Sequence, residues 1–260
     1  MIPKIPKIIH QTWKSPDAPN EHLARCMHSF KMQSGWAYRL ANDEIMAKDV
    51  ASTGNLAWIR AYGESEKMIH KADIWRLVAL WKWGGCYADI DMWMIRPLDD
   101  LVQSLGIQPD AHNKFYWVAD HKIHSAMLYG GRRMVMNNFM LTGMKNRFVK
   151  TCLDRIAKNS QIRPISGDPV QSTGPGLLTE EATAYGFADS VLSEMPTDSI
   201  HPLPDMTLTS MNGPLYSSYV KMIENGEWRK RFNPFAAHLW FHCYHSSNNM
   251  IEMFGEKLFQ

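Results

Sequence analysis

Two acidic side chains separated by one residue are the part of this sequence best suited to chemistry. Asp89 and Asp91 follow a glycine pair and a short apolar run, and only Ile90 stands between them. On an extended backbone, residues i and i+2 point to the same side, so we expect both carboxylates to face one small volume. Mg²⁺ and Mn²⁺ bind carboxylate oxygens together with substrate phosphates. The pair therefore predicts metal-bridged binding of a diphosphate.

The surroundings of the acidic pair decide how it is interpreted, because a lone Asp-x-Asp pattern is common in solvated turns. Apolar residues stand on both sides of it, and carboxylates are rarely placed in such a run without a partner. Asp73 and Arg76 precede it, three residues apart on a predicted helix face. They form either a simple intrahelical ion pair or part of a ligand site, since ligands of α/β sheets bind where strands end.

The elements that must position these residues alternate along the chain. Strands are predicted at residues 7–11, 36–40, within 84–91, at 114–119 and at 134–141, and helices at 21–33, from 43, at 64–83, 147–158 and 177–185. Such alternation is typical of an α/β fold, a parallel sheet covered by helices. The helix at 64–83 is apolar over much of its circumference, so we expect it to be buried and to end at Gly84 and Gly85.

Three further motifs allow two interpretations each. The turn at residues 172–176 either directs backbone N–H groups at an anion or hydroxyl, or only caps a helix. His238, His242 and His245 could bind zinc from one helical face, but the aromatic composition around them favours a strand. The cluster at residues 228–231 is either a solvated loop or a contact for lipid headgroups or an anionic acceptor.

The composition limits the classes of protein. A chain of 260 residues with 45% hydrophobic and 21% charged residues is predicted to form one globular domain, residues 1–260. Its net charge of +2 does not favour a nucleic-acid partner. Four scattered cysteines and no leader predict a cytoplasmic location. Because Arg76 and Lys82 interrupt the most apolar region, membrane contact is expected to be peripheral at most, at the inner face of the membrane.

Three motifs in order resemble a known family. Residues 5–13 read IPKIIHQTW, residues 71–76 read KADIWR and residues 84–91 read GGCYADID. This arrangement resembles the glycosyltransferases of family 32, the DxD sugar-binding group that includes yeast initiating mannosyltransferases and bacterial capsule enzymes. The clostridial glucosylating toxins are more distant relatives. The resemblance is dense over residues 5–100 and implies a GT-A fold, with a Rossmann-like mixed sheet flanked by helices.

The resemblance also implies a role for each matching residue, according to the part of the donor that it contacts. The nucleoside would meet Ile9, Gln11 and Trp13, with Trp13 stacked near the base. The sugar and phosphate side would meet Asp73, Arg76, Asp89 and Asn138, and the metal would be bound by Asp91 and His238. The chain departs from the family at its end, where residues 243–247 read CYHSS in place of the usual Ser-Trp pair.

The function implied is retaining transfer of a hexose or N-acetylhexosamine from a UDP- or GDP-sugar, with Mn²⁺ or Mg²⁺. A metal and a nearby arginine stabilise the charge that develops on the leaving phosphate, so Arg76, Asp89 and Asp91 are the predicted catalytic residues. The acceptor is predicted to be a glycan or lipid-linked glycan, as in capsule or lipopolysaccharide assembly. Two alternatives remain: transfer to a protein, and a non-catalytic module that binds nucleotide sugars.

Overall fold

The computed structural model describes residues 5–107, 114–120, 130–162, 165–186, 192–195, 200–202, 214–239 and 254–260. Within them, six strands form the larger sheet, in the order β2-β1-β3-β6-β5-β7, and three form a smaller sheet, in the order β4-β9-β8. The strands are β1 Ile8–Thr12, β2 Ala37–Ala41, β3 Gly85–Ala88, β4 Met92–Met94, β5 Phe115–Ala119, β6 Val135–Thr142, β7 Leu192–Glu194, β8 Ile200–Pro202 and β9 Ala236–His238.

Helices connect and cover the strands. They are α1 Glu21–Lys31, α2 Asp43–Ala51, α3 Leu56–Gly63, α4 Met68–Trp83, α5 Leu98–Ser104, α6 Arg147–Ile162, α7 Pro169–Ser172, α8 Pro175–Tyr185, α9 Pro214–Glu224 and α10 Glu227–Phe232, followed by a 3₁₀ helix at Gly255–Phe259. The side chains of Asn20, Asn42 and Asn55 accept hydrogen bonds from the first backbone N–H groups of α1, α2 and α3. Asn146 does the same for α6, as predicted.

The larger sheet is mixed, as the resemblance implied. β1 pairs in parallel with β2 and β3, whereas β6 runs antiparallel to β3 and to β5. The expectation of a fully parallel sheet is therefore wrong for β6. Because β6 runs antiparallel to β3, the start of β6 lies at the edge of the sheet where β1 and β3 end. Residues from strands of opposite direction therefore meet at that edge.

Helix α4 lies in the core between the sheet and the other helices. Ten of its residues are buried, among them Trp75, Leu77 and Val78. It packs against α2, α3 and α6 on one face of the sheet. The helix begins at Met68 rather than at residue 64, because the preceding residues form a separate helix, α3, that ends at Gly63. The buried Asp73 and Arg76 are therefore held on a rigid element.

The link from α4 to β3 requires glycine. Gly84 and Gly85 have φ values of +65° and +94°, in the region that side chains disfavour. A Cβ atom at Gly85 would lie 2.2 Å from the carbonyl oxygen of Ile8. The glycine pair thus ends α4, as predicted, and allows β3 to start directly beside β1.

The fold bears on three other predictions. The cluster at residues 228–231 is not a solvated loop, because it lies in α10 with Trp228 fully buried against Trp93. His238 lies on a strand, as its composition favoured, whereas Trp240, His242 and His245 lie outside the described residues. Among the residues described, no helix is both long enough and apolar enough to cross a membrane.

Candidate active site

The acidic pair lies in a tight turn between the two sheets. β3 ends at Ala88 and β4 begins at Met92, and the backbone N–H of Met92 donates to the carbonyl oxygen of Asp89 at 3.1 Å. The expected extended geometry over Asp89 and Asp91 is therefore wrong. Since a turn rotates successive side chains, the two carboxylates have different nearest partners.

Arg76 connects α4 to this turn. Its Nη2 atom lies 3.1 Å from Oδ1 of Asp73, and its Nη1 atom lies 3.2 Å from Oδ1 of Asp89. Nη1 also donates to the carbonyl oxygen of Asn137 at 2.7 Å, and the guanidinium lies 4.6 Å from the centre of the Tyr87 ring. The side chains of Arg76 and Asp73 are both buried. The pair is thus part of a network that reaches the DxD turn, and not an isolated helix-surface ion pair.

Asp73 accepts two further hydrogen bonds. Its Oδ2 atom accepts from Oγ1 of Thr173 at 2.8 Å, and its Oδ1 atom accepts from Nδ2 of Asn137 at 2.9 Å. Burial raises the pKa of Asp73 to about 6, although the Arg76 cation and these two bonds oppose that rise. A carboxylate held by three donors has a fixed orientation, which suits it to bind sugar hydroxyls.

Asp89 is more accessible than Asp73, with a quarter of its side chain exposed (25%). The hydroxyl of Tyr87 donates to its Oδ1 atom at 2.6 Å. Burial raises the pKa of Asp89, the Arg76 cation opposes that rise and the negative charge of Asp91 adds to it. The carboxylate therefore faces Arg76 and Tyr87 on one side and keeps part of its surface open to a ligand.

Asp91 faces a different partner, His238 at the end of β9. The Nε2 atom of His238 lies 3.4 Å from Oδ2 of Asp91, and its Nδ1 atom lies 2.9 Å from the side-chain amide of Asn138. Burial alone would lower the pKa of His238, but the charge and hydrogen bond of Asp91 raise it, and the net shift is upward. Among the described residues, the buried Oδ1 atom of Asn138 has no hydrogen-bond partner.

Asp91 and His238 suit a divalent cation. Ligand atoms about 2.1 Å from an ion and at right angles to each other lie about 3 Å apart, and the 3.4 Å between Oδ2 and Nε2 is close to that separation. Mg²⁺-type sites commonly use one or two protein ligands and complete the shell with water and substrate phosphates. The residues present therefore fit a metal that a diphosphate would share.

The residues predicted to meet the nucleoside are all buried. Gln11 donates through Nε2 to the carbonyl oxygen of Asp89 at 3.0 Å and accepts from the hydroxyl of Tyr38 at 2.8 Å. Trp13 is nearly buried and packs in an apolar cluster with Ile90. The side chain of Ile9 is fully buried in the core. The contact of this strand with a nucleoside stays a prediction.

Three residues of this network were not predicted. Asn137 and Thr173 hold Asp73, and Tyr87 holds Asp89. The turn at residues 172–176 had indicated that Thr173 could matter, but not its partner. That turn caps a helix, and the side-chain hydroxyl of Thr173 also positions Asp73. The alternative, that its backbone N–H groups point at a ligand, stays a prediction.

Comparison with known proteins shows what this fold and this cluster resemble. Residues 19–109 match the family described as glycosyltransferase sugar-binding region containing DXD motif. The inositol phosphoceramide mannosyltransferase 3 of Schizosaccharomyces pombe is 34% identical over 99 residues, which are 38% of this chain and 27% of that protein. The match thus spans about a quarter of that relative. The predicted resemblance to DxD glycosyltransferases is confirmed over this region.

Solved structures confirm the fold beyond that region. The PaToxG glycosyltransferase superposes with a TM-score of 0.53 at 13% identity, over 98% of this chain and 86% of that one. Mouse xyloside xylosyltransferase 1 superposes with a TM-score of 0.50 at 8% identity, over 92% of this chain and 98% of that one. The predicted GT-A fold is therefore confirmed.

The predicted cytoplasmic location is contradicted by the relatives. They are named for transfer of mannose to inositol phosphoceramide, a lipid held in membranes, and not as cytoplasmic enzymes. The cysteine pattern did not predict the location correctly. Cysteine spacing indicates whether thiols form disulfides or bind metals, and not where an acceptor lies.

Proposed function

We propose that this protein is a metal-dependent glycosyltransferase that uses a nucleotide sugar. The observation that carries the proposal is the network in which Arg76 joins Asp73 to Asp89. Asp89 belongs to the same tight turn as Asp91, which pairs with His238. One end can hold sugar hydroxyls and the other a metal, and a diphosphate can lie between them. Arg76 and the metal would stabilise the leaving phosphate as its charge develops.

The donor is proposed to be a UDP- or GDP-sugar whose sugar is a hexose, with mannose tested first because the curated relatives are named as mannosyltransferases. Asp73, Arg76 and Asp89 would bind the sugar and phosphate side, with Gln11 and Trp13 near the nucleoside. Asp91 and His238 would hold Mn²⁺ or Mg²⁺. The acceptor is proposed to be a glycan or a glycan carried by a lipid. The curated relatives support a lipid-borne acceptor, because they are named for inositol phosphoceramide.

The stereochemistry is proposed to be retention, with acceptor and leaving group on the same face of the sugar. The carboxylate of Asp73 is already held by Arg76, Asn137 and Thr173, which suits binding better than nucleophilic attack. Proton NMR of the first product formed would report the anomeric configuration. An inverted product would contradict this part of the proposal.

The direct test is metal-dependent release of nucleoside diphosphate from a panel of UDP- and GDP-sugars with Mn²⁺. Asp91→Asn is expected to abolish release while the far-ultraviolet circular dichroism stays unchanged. Asp100→Asn is the matched control, because Asp100 is an exposed acid on α5 and should leave release unaffected. A non-catalytic module would bind nucleotide and metal but release no diphosphate in the wild type.

A further inference from the structure

A cavity lies between the end of α6, the segment at residues 165–168 and α7. Its volume is about 390 Å³, within the range of about 300–1,000 Å³ for small-molecule sites. It is lined by Asn159 on α6, by residues 165–168, and by Gln171 and Ser172 on α7. The lining segment is tied to the entry of α4, since Nζ of Lys67 donates to the carbonyl oxygen of Gly167 at 2.9 Å.

The cavity shares a wall with the candidate donor site. Ser172 lines it, and the next residue, Thr173, donates its hydroxyl to Asp73 at 2.8 Å. The segment is closely packed there, since a Cβ atom at Gly174 would lie 3.3 Å from Oδ2 of Asp73. The segment that lines the cavity therefore leads directly into the hydroxyl that holds the carboxylate proposed to bind the donor sugar.

The chemistry of the lining is that of neutral hydrogen-bonding groups. Asn159, Ser166 and Gln171 offer amide and hydroxyl groups that are not engaged with other described residues. The single charged side chain of the lining, Asp168, accepts from the backbone N–H of Val170 at 3.0 Å and caps α7. Among the described residues, no arginine or lysine side chain is part of the lining. Amides and hydroxyls suit an uncharged ring that carries several hydroxyl groups.

We propose that this cavity binds the hydroxyl-rich ring of the acceptor, next to the donor sugar. This inference rests on the proposed function, because it assigns the second substrate of the same site. Asn159 and Gln171 would hydrogen-bond the ring hydroxyls and so place one of them towards the sugar beside Asp73.

The test measures ring binding separately from nucleotide binding. Saturation-transfer NMR would detect myo-inositol and methyl α-D-mannopyranoside on the whole protein, without nucleotide and then with UDP or GDP and Mg²⁺. The double variant Asn159→Ala and Gln171→Ala is expected to bind the ring about tenfold more weakly, as loss of two neutral hydrogen bonds would give. Binding of the nucleotide with Mg²⁺ should not change. Gln161→Ala is the matched control, since Gln161 is an exposed amide on the same helix that does not line the cavity.

The outcomes separate the two proposals. If neither ring compound binds the wild-type protein, or if the double variant binds it as tightly as the wild type does, the acceptor assignment is overturned. Failure of UDP and GDP to bind with Mg²⁺ would count against the proposed function, whereas the measurement without nucleotide still tests the cavity. Thermal unfolding of each variant would check that the fold is retained.

Discussion

Replacing Arg76 with methionine should destabilise the protein more at alkaline than at acidic pH. Methionine keeps much of the apolar length of the side chain but removes the cation from between Asp73 and Asp89. At an effective dielectric constant of about 20, two unit charges about 3 Å apart attract by about 5 kcal/mol. Desolvation offsets part of that attraction. Removing one partner of a buried ion pair costs about 3–5 kcal/mol, and we expect a loss of that size at pH 8.

The pH dependence follows from Asp73. Its pKa in the folded state is about 6, above the ordinary value of 3.8, so the folded protein binds more protons than the unfolded chain between these values. The free energy of unfolding therefore falls as pH rises through this window. Without Arg76, the pKa of Asp73 in the folded state should rise further. The pH range in which the free energy of unfolding falls should then extend upward, and within it the free energy of unfolding changes by about 1.4 kcal/mol for each pH unit. The variant should thus regain stability at pH 5, where Asp73 is protonated.

Urea unfolding of the wild type and the variant at pH 5 and pH 8, with a chelator present, would measure both effects. Arg60→Met is the matched control, because Arg60 forms an exposed pair with Glu64 on α3. Exposed pairs contribute about 0–1 kcal/mol, and we expect no comparable pH dependence for that control. A loss below about 1 kcal/mol for the Arg76 variant, or one equal at both pH values, would refute the network described above.

Three further perturbations test other parts of the structure. Gly85→Ala should lower the free energy of unfolding, measured with urea, by at least about 2 kcal/mol, because the new Cβ atom would collide with the carbonyl oxygen of Ile8. A loss below half of that value would contradict the close approach of the two strands. Burial lowers the pKa of His10 to about 4. The stability it contributes should be lost as pH falls from 6.5 to 4, and an NMR titration midpoint near 6.5 would contradict its burial. Asn138→Leu should weaken Mn²⁺ binding by about 10–100-fold in calorimetry, because His238 loses the amide that orients it, and unchanged affinity would remove His238 from the metal site.

The sequence predicts those parts of the site that depend on local order. The apolar pattern of α4, the glycine pair after it and the DxD turn are adjacent in the chain, so their relative placement follows from helix and strand geometry. Asp73 and Arg76 are three residues apart on one helix face, and their contact needs no tertiary information.

Other contacts of the site join residues that are far apart in the sequence. Thr173 bonds to Asp73, and Asn138 bonds to His238, across sequence separations of 100 residues each. A periodicity reports which face of an element is buried, but not which distant element covers it.

The middle residue of the motif explains why its two carboxylates differ. Ile90 is buried in an apolar cluster with Trp13 and Leu23, which anchors the turn and directs Asp89 and Asp91 to separate partners. Asp89 then meets a cation and a phenol, whereas Asp91 meets an imidazole beside an unpartnered amide oxygen. The motif is thus not a symmetric clamp. Because only the Asp91 side combines a carboxylate with a second metal-type ligand, loss of Asp91 should act through the metal, and loss of Asp89 through the sugar and Arg76.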